Sequence, residues 1–270
     1  NFGFLCFFKY FNFLGGNINA LAGLFGQGAV VPTLKLAMPL GISYYTLQAV
    51  SYVIDVYRGK YAADKNLGRV ALFVSFFPQM TEGPIGRYDL LAHQLYEGHR
   101  FDYEQFCYGL QLLMWGLFKK LVIADRVGIF VSGVFGNYAA HQGLVVLAAV
   151  VLYTVQIYMD FSGYMDLVTG GAQVLGVRMS DNFARPFFSR SVNEFWRRWH
   201  ITLGAWLRDY IFYSVTLSRP FAKISKAAKK HLNAHLGALL PSAMALFFVW
   251  FGNGLWHGAS WKYICYGLYY

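Results

Sequence analysis

The stretch GLVVLAAVVLYTVQIYM (143–159) holds no formal charge and lies within 33 uncharged residues between Arg126 and Asp160. A helix that crosses the hydrocarbon core of a bilayer needs roughly 20 mainly apolar residues, each adding 1.5 Å. This run has that length and is built from Val, Leu and Ala. Working outward, the chain holds three further runs: 25 uncharged residues between Lys9 and Lys35, 19 between Lys35 and Asp55, and 31 between Lys230 and Lys262. Each has room for about one span. Apolar residues make up 57% of the chain and charged residues 13%, against about 25% charged in an average soluble domain. A large soluble α-protein is the alternative, but it needs a charged surface that this chain lacks. Aromatics at 19% suit helices that meet both hydrocarbon and interface. The expected fold is all-α, a polytopic transmembrane bundle, with residues 1–270 forming a single incomplete domain.

Other segments predict the following elements. Residues 28–57 read as a helix entered near Pro32 and interrupted at Pro39-Leu40-Gly41. Residues 67–80 are apolar but short and end near Pro78, which fits a bent or partly spanning helix. Residues 106–135 are a long apolar stretch carrying Lys119, Lys120, Asp125 and Arg126, charges that meet headgroups or pair internally. Asp160 reads as the end of the long uncharged helix, and the next span begins at 239–250. Asn1–Phe13 lacks the basic start and small-residue cleavage site of a signal peptide and reads as the tail of a helix. ICYGLYY at the other end stops inside an apolar run, so helices are expected to be missing at both termini. Cys6, Cys107 and Cys265 form no CxxC pair and read as packing residues.

Residues 178–235 carry eleven Lys or Arg against Asp181, Glu194 and Asp209, an excess of eight within a whole-chain excess of ten. Arg219, Lys223, Lys226, Lys229 and Lys230 have no acid among them. Short basic loops favour the cytoplasmic face, and anionic lipid adds to that preference. The segment therefore reads as cytoplasm-facing and interfacial or re-entrant. Nucleic acid is the other partner of a basic stretch, and the surrounding apolar runs argue against it.

His257 is the leading candidate for chemistry. It lies in the uncharged run between Lys230 and Lys262, within GNGLWHG (252–258), with Asn253 one helical turn earlier and Trp256 adjacent. A neutral imidazole accepts a proton near pH 7, which suits activation of a hydroxyl nucleophile. A histidine that merely bridges two helices is the structural alternative. His200 is second, in NEFWRRWH (193–200), where helical spacing sets Trp196 and Arg197 on its side. There an interfacial helix anchored by Trp199 and Arg198 is the competing reading. Asp160 and Asp166 either pair with arginines or line a polar cavity, which keeps a transporter in view. Glu82 and Arg87, in EGPIGR (82–87), read as a loop clamp or a substrate mouth. No HExxH is present, and haem held by His200 and His257 leaves the basic and glycine-rich surroundings unexplained; no metal ligand is assigned.

FFPQMTEGPIGRY (76–88), the stretch from Tyr158 to Tyr213 containing NEFWRRWH, and NGLWHGASWKYICYGLY (253–269) resemble the membrane-bound O-acyltransferases. The nearest likeness is to bacterial members acting in alginate O-acetylation and teichoic-acid D-alanylation. The resemblance implies a many-helix bundle around a central tunnel in the bacterial cell membrane. It places the catalytic histidine at His257 and a second, donor-side histidine at His200. Asn193, Trp196, Arg197, Arg198, Trp199 and Asp209 fall on a re-entrant or interfacial floor. It further implies no bound cofactor but a cytoplasmic acyl donor as co-substrate, either acetyl-CoA or an acyl-carrier thioester. The acceptor implied is an extracellular or cell-wall polysaccharide, with teichoic acid as the alternative. A separate extracytoplasmic SGNH-type acetyltransferase is a possible partner, in which case this chain relays the acyl group.

Overall fold

The computed structural model describes residues 2–98, 100–231 and 233–270. Its architecture is all-α: among the described residues the only β feature is an isolated bridge between Phe183 and Trp199. In chain order the helices are α1 (Phe2–Leu24), α2 (Ile42–Tyr57), α3 (Leu67–Ser75), α4 (Phe77–Met80), α5 (Tyr88–Tyr96), α6 (Tyr103–Leu117) and α7 (Asp125–Gly136). They continue with α8 (Leu144–Val174), α9 (Val192–Arg198), α10 (Ile201–Leu207), α11 (Tyr213–Thr216), α12 (Arg219–His231), α13 (Ala234–His257) and α14 (Trp261–Tyr269). Two compact units emerge: one takes residues up to Val53 with Leu203–Tyr270, the other Ile54–Thr202.

Among the described residues, three helical stretches are long and apolar enough to cross a membrane: Tyr103–Gly136, Leu144–Val174 and Ala234–His257. Very little of the apolar part of α8 is buried within the chain. Leu144, Leu147, Val150 and Val151 all point outward, an apolar surface that hydrocarbon covers and water does not.

In the Ile54–Thr202 unit the first two of these stretches pack along each other. Gly109 and Gly116 on α6 meet Gly170 and Gly163 on α8. A Cβ at Gly116 would lie 2.7 Å from the Gly163 carbonyl oxygen, and one at Gly109 would lie 2.9 Å from that of Gly170. The seven-residue spacing places each pair on one face, and the missing side chains let the backbones touch. Between α6 and α7 the helix widens to a π segment at Phe118–Ala124. Across this segment Lys119 pairs with Asp166 at 2.6 Å, while Lys120 pairs with Asp160 at 2.7 Å and Asp125 at 2.9 Å. Asp160 therefore does not end its helix; α8 runs on to Val174, because the carboxylates find their partners on the neighbouring helix. Of the alternatives for the charged middle of residues 106–135, internal pairing of Lys119 and Lys120 is the one observed. Helix α3 breaks from α4 at Phe76, two residues before Pro78, as the short apolar stretch predicts.

In the other unit, the expected helix from residue 28 is absent up to Gly41. Instead the chain is extended or turning from Gly28 to Leu40 and α2 starts at Ile42. Two asparagines seven residues apart on α1 hold this segment as a neighbouring strand would. Asn19 accepts from the Val30 and Val31 amides and donates to the Val31 carbonyl. Asn12 accepts from the Leu34 amide and donates to its carbonyl. With the backbone satisfied laterally, and Pro32 and Pro39 unable to donate, extended chain wins over helix. At the other end of the unit α12 packs on α13: Phe221 meets Phe248 and the Ser225 hydroxyl donates to the Gly237 carbonyl at 2.7 Å. Lys223, Lys226, Lys229 and Lys230 stay exposed. This is the amphipathic form of a helix that lies along a membrane surface.

Candidate active site

His257 is the last residue of α13, so the helix breaks at the histidine, inside the uncharged run. After Gly258 the chain turns and packs back on α13 as α14. Glycine makes this return possible. A Cβ at Gly254 would lie 2.4 Å from the Tyr263 carbonyl oxygen, and one at Gly258 would lie 2.4 Å from the Tyr263 ring. The imidazole is thus presented at a helix end, exposed, with Tyr263 stacked at 6.1 Å and Tyr266 edge-on at 6.0 Å. Trp256 is fixed on the other side: its indole donates to the Ser43 carbonyl at 3.3 Å, and Tyr44 meets it edge-on. Asn253 sits one turn before His257 as expected, and is buried. Its Nδ2 is 3.5 Å from the Tyr266 hydroxyl, while its Oδ1 has no hydrogen-bond partner among the described residues. An unmade bond of that kind costs about 1–3 kcal/mol, so Asn253 Oδ1 favours any donor brought to it.

His200, in the Ile54–Thr202 unit, is not helical. Helix α9 ends at Arg198, and His200 adopts φ +47° in the turn before α10. A left-handed non-glycine residue stores roughly 1–3 kcal/mol, and the surroundings that hold it are dense. Asn182 Oδ1 accepts from the Thr202 amide and hydroxyl, both at 3.0 Å, and lies 3.2 Å from His200 Nδ1. Because that oxygen only accepts, Nδ1 carries the proton and Nε2 is the basic nitrogen. Phe161 lies edge-on to the imidazole at 4.8 Å. Phe183 and Trp199 extend the aromatic wall. The Thr202 hydroxyl also accepts from the Ile85 amide at 3.0 Å, which ties the EGPIGR loop to the histidine turn.

The remaining expected residues divide. Trp196 stacks edge-on with Phe195, Asn193 and Arg197 are exposed on α9, and Arg198 is committed to Glu194 at 2.5 Å and the Arg185 carbonyl. The helical spacing that set Trp196 and Arg197 beside His200 fails because α9 stops first. Arg87 lines a cleft with Pro84, Gln94 and Arg178. Glu82 keeps an exposed edge. Partial burial raises its carboxyl above the ordinary range, the Asp160 carboxylate adds to that, and Lys120 opposes it. Asp160 is an ion-pair partner first. Sequence reasoning missed Asn182 and Thr202, whose roles depend on contacts about 20 residues apart, and Tyr266, whose place depends on the turn at Gly258.

Comparison with known proteins places these motifs in context. A family model described as membrane-bound O-acyltransferase (MBOAT) matches residues 62–270. A "probable alginate O-acetylase" of Azotobacter vinelandii is 37% identical over 97% of this chain and 49% of its own length. A peptidoglycan O-acetyltransferase of Helicobacter pylori is 31% identical over 99% of this chain and 52% of its own. A teichoic acid D-alanyltransferase of Bacillus subtilis is 28% identical over 88% of this chain and 58% of its own. The chain spans about half the length of these relatives.

Proposed function

From the premise that the chain belongs to the membrane-bound O-acyltransferase family, we propose that it transfers an acetyl group to a hydroxyl of an envelope polysaccharide. His257 acts as the base. The observation that carries this is the presentation of His257: an exposed imidazole on a broken helix end, with buried Asn253 Oδ1 one turn away. His257 takes the proton of the acceptor hydroxyl as that oxygen attacks the carbonyl of an acyl thioester. The C–O bond forms, the thiolate leaves, and the proton passes to it. Asn253 Oδ1 accepts a hydrogen bond from substrate and helps to orient it. The exposed lysines of α12 supply a positive surface for an acidic donor, coenzyme A or an acylated carrier. An SGNH-type partner would complete the ester where this chain only relays the group. The preference for acetyl over D-alanyl follows the higher identity to the alginate and peptidoglycan enzymes. We further place the protein in the bacterial cell membrane as a multi-pass protein.

Mass spectrometry of envelope polysaccharide tests this. Cells lacking the gene should lose O-acetyl groups, regain them with the wild-type gene and fail to regain them with His257→Ala. Loss of D-alanyl esters instead would transfer the assignment to the other acyl group. Solute flux through liposomes with no acyl donor present would favour a transporter.

A further inference from the structure

We propose that Lys9 and Tyr10 of α1 are positioning residues for His257, acting as a side-chain cap on the end of α13. The proposal rests on the reading of His257 as the base. The last turn of any helix leaves carbonyls without intrahelical partners and carries a partial negative charge. At the end of α13 these carbonyls are met by two adjacent side chains from some 245 residues earlier. Lys9 Nζ donates to the Trp256 carbonyl, and Tyr10 Oη to the Leu255 carbonyl and, at 3.3 Å, to that of Gly258.

The pattern brackets the histidine. The Trp256 carbonyl belongs to the peptide unit that carries the His257 amide, so Lys9 fixes that plane directly. The one Tyr10 hydroxyl proton is shared between carbonyls on both sides of His257, chiefly that of Leu255, so rotation of the backbone at 257 disrupts this contact. Lys9 is itself held, 3.4 Å from the Ser43 hydroxyl and 5.9 Å from the Trp256 ring centroid. Ser43 also receives the Trp256 indole through its carbonyl. An ammonium in such an apolar setting is expensive unless it has partners, and Lys9 finds them at Ser43 and at Trp256, the residue before the histidine. With Gly258 giving the turn no stiffness of its own, imidazole placement depends on these donors. A catalytic group misplaced by about 1 Å loses on the order of a hundredfold in rate.

The test uses the full-length protein in liposomes, with labelled acetyl donor and polysaccharide acceptor. Lys9→Met removes the ammonium, Tyr10→Phe removes one hydroxyl, and Lys9→Arg keeps charge and donors. We expect Lys9→Met and Tyr10→Phe to lower kcat about tenfold or more with donor KM unchanged, and Lys9→Arg to restore most of it. Tyr10→Phe should keep the wild-type melting temperature. The rate at which diethyl pyrocarbonate modifies His257, read by mass spectrometry against His200, should change in both variants. Wild-type kcat in both, alongside an inactive His257→Ala, overturns the proposal. So does activity that falls only in step with folded protein. If His257→Ala instead retains activity, the base assignment fails by itself, and the modification rate still decides whether Lys9 and Tyr10 hold the ring.

Discussion

Asn182 shows how much of the candidate site a single side chain organises. Its Oδ1 serves Thr202 twice and His200 once, and Asn182 is buried. Asn182→Ala leaves the Thr202 amide without its acceptor, at about 1–3 kcal/mol, and frees His200 to change tautomer. The expected outcome is lower resistance to unfolding in detergent and a weaker response of the remaining activity to His200→Ala. Asp64 offers a pH test away from the spans. The Asn66 amide and then the Tyr88 hydroxyl hold its carboxyl below the ordinary 3.8, and burial followed by Asp64 holds the Tyr88 phenol protonated. A depressed carboxylate stabilises above the unfolded-state value and loses that contribution as pH falls through the folded one. Acid unfolding curves of Asp64→Asn should therefore separate from wild type above the ordinary carboxyl value of 3.8 and converge as pH falls through the depressed folded-state value. At this scale the sequence was legible where chemistry is local. Asn253, one turn before His257, read correctly. The left-handed backbone of His200 did not, because nothing in NEFWRRWH marks where the helix gives way.

Among the elements, the paired spans carry the sharpest lesson. Uncharged run length located α8 and α13 but misjudged the end of α8, because Asp160 and Asp166 lie inside it and are neutralised by Lys120 and Lys119 of the neighbouring helical stretch. A charge counts as a helix end only if it has no partner on the next helix, and one-dimensional reading cannot see that partner. The pair Lys119–Asp166 is the more enclosed, so Asp166→Leu alone should destabilise by about 3–5 kcal/mol by leaving an ammonium unpaired. The double variant Lys119→Met/Asp166→Leu should recover most of the loss, as measured by unfolding in micelles. Equal damage in single and double variants would show that the ion pair has another role. The same non-local logic explains the misread helix at residues 28–57: its competitor is Asn12 and Asn19 on α1, residues with no signal of their own as strand mimics.

For the whole molecule, composition and run length were enough for the fold class, since 13% charge cannot cover a soluble protein of this size. Function needed more. The motifs FFPQMTEGPIGRY, NEFWRRWH and NGLWHG point to the family, and the structure adds what motifs cannot: a broken helix that presents His257, and a turn that fixes His200 through Asn182. The two histidines lie in separate compact units, and each is held by residues of its own unit. The role of His257 as the base for acyl transfer from a thioester to a hydroxyl is the proposal on which the mechanism rests. Its most direct measurement is single-turnover transfer of labelled acetyl from donor to polysaccharide by full-length protein in liposomes, wild type against His257→Ala. Acceptor labelling that falls by about a thousandfold in the variant, with donor binding retained, is the predicted result; labelling at the wild-type rate would contradict it.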